Sequence, residues 1–337
     1  MLIHYMSCHS VLEWDEVQLL TELGHEVFSN GAYTDPKGAY TLPRPGIPNA
    51  QYYPEWAELA RTHPKTALPP ELIEPFDCFI IMHSPNVLLQ NWDKIKHKRV
   101  IWRTIGQSLT GTESKIKRLV DEGLEIVRYS PKERNLKTYA GENAMIRFYK
   151  DPAEFQGWSG VDKNVINFTQ SLKGRRDFCH YDEIFPVIRD LDGKVYGTGN
   201  EDLGEFNGGE LPYKLQKRVM RRSGVMIYGG TFPASYTLSF MEAMMTGLPM
   251  IVIGKKKAHI DRFEKFDFYE VDEIIKHGTN GYIANEPDDI IKYAKELLEN
   301  PDKARNVSRA GRKTAIKLFG KDYIKKQWKE LLDENNY

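Results

Sequence analysis

Short apolar runs bounded by turn residues recur along the chain, and between them lie stretches with helical spacing. Leu2 to Met6 predicts a first strand, and Leu12 to Leu23 an amphipathic helix ended by Gly24. Val27-Phe28-Ser29 follows as a second strand. Cys78 to Met82, Val100-Ile101-Trp102 and Leu124 to Val127 are continuous apolar runs, the pattern of parallel strands covered on both faces. The interval from Gly31 to Pro75 is rich in Pro, Gly and Tyr. Its best helical candidate is Ala57 to Ala60, and its aromatics call for burial, so it reads as an ordered insertion.

The texture changes between Met145 and Gly160, where Asp151-Pro152, Gly157-Trp158 and Gly160 suggest a hinge. A second series follows, with strands predicted at Val165 to Phe168, Val195-Tyr196, Val225 to Tyr228, Met250 to Ile253 and Tyr282-Ile283. The segment Asp322 to Asn335 places Tyr323, Ile324, Trp328, Leu331 and Leu332 on one helical face. Alternation of strand and helix predicts an α/β protein with two Rossmann-like, doubly wound domains. The expected limits are residues 1–150, residues 151–318, and a last helix over 319–337 that returns to the first domain.

Length and charge fit this division. At 337 residues the chain exceeds the size at which one core stops growing. Acidic and basic residues balance at 47 each, so no global field draws the protein to nucleic acid or anionic lipid. Cys8, Cys78 and Cys179 are widely separated and odd in number, which argues against a disulfide framework and for a reducing, cytoplasmic setting. The first six residues are too polar for a signal peptide, and no apolar stretch reaches the roughly eighteen residues of a membrane span. The nine histidines show no ligand spacing, and neither a phosphate-loop lysine motif nor Gly-x-Gly-x-x-Gly occurs. Neither a metal nor another cofactor is expected. The basic clusters Lys94 to Arg99 and Lys255 to Lys257 read as solvated faces, though the second rims the exit of a strand.

The chemistry concentrates at residues 231–249. Ala234, Ser235, Tyr236 and Thr237 precede a run of helix formers, so the amides of Thr237 and Leu238 are expected at a helix N-terminus, free to bind phosphate oxygens. Glu242 lies one turn in, where a carboxylate accepts from two vicinal ribose hydroxyls. Gly247 and Pro249 stop the helix. Thr169 to Arg176 directly follows a strand, at the edge where open α/β sheets hold ligands. Lys173 and Arg176, with Arg175 in reserve, are the candidate cations for charge on a departing diphosphate.

The run Ser239 to Pro249 resembles the nucleotide-sugar motif of family 4 glycosyltransferases of GT-B fold. Val195 to Asn200 is similar to that family's strand ending in glycines, Gly278 to Ile283 to its Asn-Gly turn, and Asp288 to Asn300 with Pro301 to its closing helix. Over the N-terminal half the likeness is one of pattern. The resemblance implies two domains facing a cleft, a nucleotide-sugar donor, and transfer of the sugar to an acceptor hydroxyl with retention of configuration. It puts Gly199 and Asn200 against the nucleotide base and His83, after the third strand, against the donor sugar. Arg103 and Gln107 become donor or acceptor contacts, and His9 occupies the place of a glycine-rich loop whose glycines are missing here. Ala234 stands eight positions before Glu242, where the family carries a further carboxylate near the sugar. That departure keeps two other readings open: a sugar-nucleotide-binding module without transfer, and an epimerase or hydrolase of the same fold. The acceptor is left open among glycans, lipid-linked sugars, small molecules and modified nucleic-acid bases.

Overall fold

The computed structural model describes residues 1–35, 42–44, 53–106, 108–254 and 267–333. Gln107 and the Lys255 to Lys257 cluster lie outside these. The chain divides into two units, one of Met1–Phe148 with the segment from Asp322 onward, the other of Tyr149–Lys321. The chain therefore passes between units after Phe148 and after Lys321, where the sequence reading put its limits after 150 and after 318.

The first unit is a parallel sheet of β1 (Leu2–Met6), β2 (Glu26–Asn30), β3 (Cys78–Met82), β4 (Arg99–Arg103), β5 (Glu125–Arg128) and β6 (Ala144–Met145), in the order β2-β1-β3-β4-β5-β6. Helices α1 (Ser10–Glu22), α2 (Pro54–Thr62), α3 (Pro85–Ile95) and α4 (Thr110–Asp121) connect the strands. The core is apolar and aromatic: Phe76, Phe79, Trp92, Trp102, Ile116 and Ile126 are buried together. The insertion joins it through Tyr53 and Trp56, whose rings stack 4.5 Å apart and meet Phe28 and Phe76. His4 is sealed in this core between Leu72 O and Asn30, and burial lowers its pKa to about 3, so it stays neutral.

Helix α1 departs from the simple amphipathic picture by burying Glu13, Asp15 and Glu16. Each acid is matched. Glu13 accepts from Ser29 Oγ and from the amides of Ala32 and Tyr33, Asp15 pairs with Arg44, and Glu16 with Arg103.

The second unit is also parallel. Its strands are β7 (Val165–Phe168), β8 (Lys194–Tyr196), β9 (Asn207–Gly209), β10 (Val225–Tyr228), β11 (Met250–Ile253) and β12 (Tyr282–Ala284), ordered β12-β11-β10-β7-β8-β9. Its helices are α5 (Tyr181–Asp190), α6 (Tyr213–Arg222), α7 (Leu238–Thr246), α8 (Val271–Ile274), α9 (Pro287–Glu299) and α10 (Pro301–Phe319). Gly247 closes α7 in the left-handed region at φ +87, as a C-cap requires. Sequence reasoning did not anticipate β6 or β9. Both are short edge strands, and Asn207-Gly208-Gly209 carries no apolar signal at all.

Helix α11 (Lys321–Asp333) packs in the first unit through Ile324, Trp328, Leu331 and Leu332. Tyr323, expected on that buried face, is 50% exposed. The Arg99 guanidinium fixes the far end of α11 by donating to Leu331 O at 2.9 Å and Leu332 O at 3.2 Å. Among the described residues no helix is long and apolar enough to cross a membrane.

Candidate functional site

In the second sheet the strand order reverses direction between β7 and β10, and ligands of open α/β sheets bind at the carboxyl ends of strands flanking such a point. Two loops meet there. The loop after β7, residues 169–179, is joined to the loop after β10 by the Phe232 amide, which donates to Phe178 O at 2.8 Å. Helix α7 begins at the same edge: Ser239 Oγ lies 3.5 Å from Phe168 O, the last residue of β7. The first helical hydrogen bond runs from the Met241 amide to Thr237 O. The amides of Leu238, Ser239 and Phe240 therefore lead the helix without an acceptor among the described residues. Leu238 and Ser239 are partly exposed.

Thr237 does not supply a free amide as expected. It is the N-cap, and its N–H donates to the Tyr228 hydroxyl at 3.0 Å, so the open donors begin one residue later. Burial holds the Tyr228 phenol well above its ordinary pKa and keeps this acceptor neutral. Ser235 and Tyr236 are buried; Ser235 O accepts from the Glu270 amide, and Tyr236 packs on Phe319 at 5.1 Å between ring centroids. Both support the loop from inside.

The basic loop is built by its neighbours. Asn200, wholly buried, accepts from the Leu172 amide at 2.8 Å and donates to Thr169 O at 2.8 Å and Gly197 O at 2.9 Å. Its side chain is a staple for the loop. Gly197, at φ +133, sits where a Cβ would come within 2.9 Å of Thr169 O, so the two loops touch backbone to backbone. Gly199 likewise has positive φ and lies against Ser171. Lys173 is half exposed, 3.7 Å from Asp202. Such a pair is weak and readily exchanged for another anion. Arg176 is held by Asp182, with Nε 2.7 Å from Oδ2, and lies over the Tyr181 ring at 5.2 Å. Arg175 N–H donates to Ser171 O at 2.8 Å, which folds the loop back on itself. Lys173 is thus held less firmly than Arg176.

Glu242 occupies a setting that the sequence did not disclose. Its carboxylate is 2.8 Å from Lys150 Nζ and accepts from Gln216 Nε2 at 2.7 Å, and the residue is 3% exposed. A ribose hydroxyl would have to share this buried carboxylate with both partners. Lys150 is itself fully buried, its amide donates to Phe319 O at 2.8 Å, and it forms a bridge with Gly320. The segment that follows is bound to the same unit by Arg312, donating to Pro152 O at 2.8 Å, and by Arg221, donating to Glu154 O at 2.9 Å. Lys150 was missed because an isolated lysine beside an aspartate carries no pattern that distinguishes burial from exposure.

The N-terminal candidates lie at the carboxyl edge of the first sheet. His83 follows β3 with φ +60, its carbonyl accepts from Trp102 Nε1 at 2.8 Å, and its Nδ1 is 3.2 Å from Ser108 Oγ. Burial lowers its pKa, so the ring is neutral at physiological pH. His9 is exposed and caps α1, its ring accepting from the Leu12 amide at 3.5 Å. Arg103 is not a ligand contact: it is fully buried, pairs with Glu16 at 2.8 Å, donates to Ile146 O at 2.6 Å and stacks on Phe148 at 4.1 Å. Strand alternation turned it into the core side of the sheet. Gln107 lies outside the described residues.

Neither family profiles nor curated protein sequences match this chain. Solved structures do. HepE from Anabaena, determined in complex with UDP-glucose, superposes with a TM-score of 0.67 at 14% identity, over 99% of this chain and 100% of that one. Sucrose-phosphate synthase from Thermosynechococcus elongatus gives 0.68 at 12% identity, over 99% and 98%. A glycosyltransferase from Rickettsia africae ESF-5 gives 0.67 at 12%, over 100% and 99%. The chain therefore has the GT-B fold of these glycosyltransferases.

Proposed function

We propose that the protein is a glycosyltransferase that takes a sugar from a nucleotide-linked donor and attaches it to an acceptor hydroxyl with retention of configuration. One observation carries this reading: the leading amides of α7 stand at the strand-order reversal of the second sheet, beside a lysine-bearing loop. A diphosphate bound there accepts from the amides of Leu238, Ser239 and Phe240 and gains from the positive end of the helix. As the bond from the anomeric carbon to the phosphate oxygen breaks, the acceptor oxygen bonds that carbon and its proton leaves to the released diphosphate or to water. Lys173, with Arg175 and Arg176 behind it, offsets the charge developing on the diphosphate, which is the role a metal plays elsewhere. The reading assigns UDP as the first nucleotide to try, because UDP-glucose and UDP are the ligands bound to HepE.

Glu242, held by Lys150 and Gln216, anchors α7 and keeps acceptor sites for the ribose hydroxyls. Ala234 supplies no carboxylate at the place where the resembled family has one, and this favours, as the second reading, a module that binds sugar nucleotide without transferring the sugar. Calorimetry with UDP, followed by turnover of UDP-glucose with and without simple glycoside acceptors, separates the two. Absence of binding by UDP, GDP and ADP alike would remove both readings. Binding without hydrolysis, and without transfer to neutral or anionic acceptors, would leave only the second.

A further inference from the structure

Strand order in the first sheet reverses between β1 and β3, which makes the exits of these two strands the ligand-binding edge of that unit. The exits are joined by Ser7, whose hydroxyl contacts Met82 Sδ at 3.6 Å. Above them stands a lysine from the long insertion. Lys65 Nζ donates to Ser7 O at 2.8 Å, and among the described residues no carboxylate lies within ion-pair distance of it. Glu13, whose charge reaches Lys65, is held by Ser29 and the amides of Ala32 and Tyr33.

This placement is constructed rather than incidental. The fully buried Asn91 on α3 donates to Lys65 O at 2.8 Å and accepts from the Leu68 amide at 2.9 Å, clamping the chain on both sides of the lysine. An ammonium carries three donors, and among the described residues only one of them is used. Burial lowers the Lys65 pKa, so a bound anion would restore the interaction that desolvation removes.

We propose that Lys65 is the anchor of an oxyanion subsite at the exits of β1 and β3, taking a phosphate or carboxylate. Resting on the transferase reading, this oxyanion belongs to the acceptor, which makes the acceptor substrate an anionic molecule. Lys65 then sets acceptor specificity without touching the reacting atoms.

Cys8 provides a local probe. Its side chain is reachable from solvent; burial raises its thiol pKa and the neighbouring Lys65 partly offsets that rise, while the other two cysteines are buried. Alkylation of Cys8 by iodoacetamide is followed by mass spectrometry in wild type, Lys65→Met and Lys65→Arg, at matched ionic strength, with inorganic phosphate and acetate as separate arms. One of these anions should slow the wild-type and Lys65→Arg reactions several-fold and leave Lys65→Met unaffected; the effective anion identifies the class. Equal protection in wild type and Lys65→Met, or none by either anion in wild type, overturns the proposal. The clamp acts on the backbone of Lys65, and thermal unfolding verifies that the variants fold. UDP plays no part in this assay, so its outcome is separable from the fate of the donor site.

Discussion

Lys150 and Glu242 form an ion pair removed from water on both sides, and such a pair stabilises only through its geometry, because each charge is costly alone. Lys150→Met leaves a buried carboxylate that still accepts from Gln216. It should destabilise the protein by about 3–5 kcal/mol, read by denaturant unfolding, and the double variant Lys150→Met with Glu242→Gln should recover much of that loss. A loss below about 1 kcal/mol would mean that the pair behaves like a surface contact. A second buried acid offers a titration. Glu133 accepts from Thr104 Oγ1 at 2.8 Å and from the Tyr129 amide at 3.0 Å, while its other oxygen stops 3.9 Å from Arg128. Burial, only partly offset by Arg128, pushes its pKa up to about 7. Below its ordinary value of 4.5 the group is protonated folded and unfolded alike. As pH rises from there toward 7 the unfolded chain ionises first, so the folded state loses stability across that window and no further above it. The stability of Glu133→Gln relative to wild type should therefore grow with pH through this range; parallel pH profiles would show that Glu133 ionises normally.

At the scale of an element, α7 carries the functional argument, and its N-terminus can be tested apart from its packing. Ser239 is the second helical residue and partly exposed, where an acidic side chain suits the helix dipole. Ser239→Asp should leave the melting temperature within a few degrees of wild type yet weaken UDP binding by at least about tenfold, equivalent to about 1.4 kcal/mol. Unchanged affinity by calorimetry would place the diphosphate elsewhere. The loop opposite depends on Asn200. Asn200→Ala orphans the Leu172 amide and two carbonyls, which should destabilise by about 1–3 kcal/mol and blur the position of Lys173. Its turnover should fall further than its stability accounts for, whereas Lys173→Ala should reduce turnover with stability unchanged. If Asn200→Ala turned over normally once folded, the staple would have no bearing on the site.

At the scale of the whole molecule, the transferase reading predicts that UDP raises the melting temperature and that turnover survives chelation by EDTA; abolition by EDTA and recovery with a divalent cation would replace the loop cations with a metal. Much of the architecture was legible because periodicity is a local property. Continuous apolar runs marked Cys78–Met82, Val225–Tyr228 and Met250–Ile253 to the residue, since strands covered on both faces leave no polar position to blur their ends, and Val165–Phe168 was marked equally well despite Asn167. The Gly247 stop was equally local, a matter of one backbone conformation. What the chain could not state in advance was which polar groups would find one another across long intervals. Arg103 and Glu16, Asn200 and Leu172, and Lys150 and Glu242 are each residues of ordinary type whose roles follow from partners 28 to 92 positions away, the last separation being 242 minus 150. Sequence by itself determined the strands other than β6 and β9, the helix that offers free amides and the basic loop after β7, because each depends on neighbours in the chain. Only the tertiary structure decided that Glu242 and Arg103 are buried ion-pair members and that Lys65 stands over a strand exit, because desolvation and pairing are set by whatever folding brings alongside.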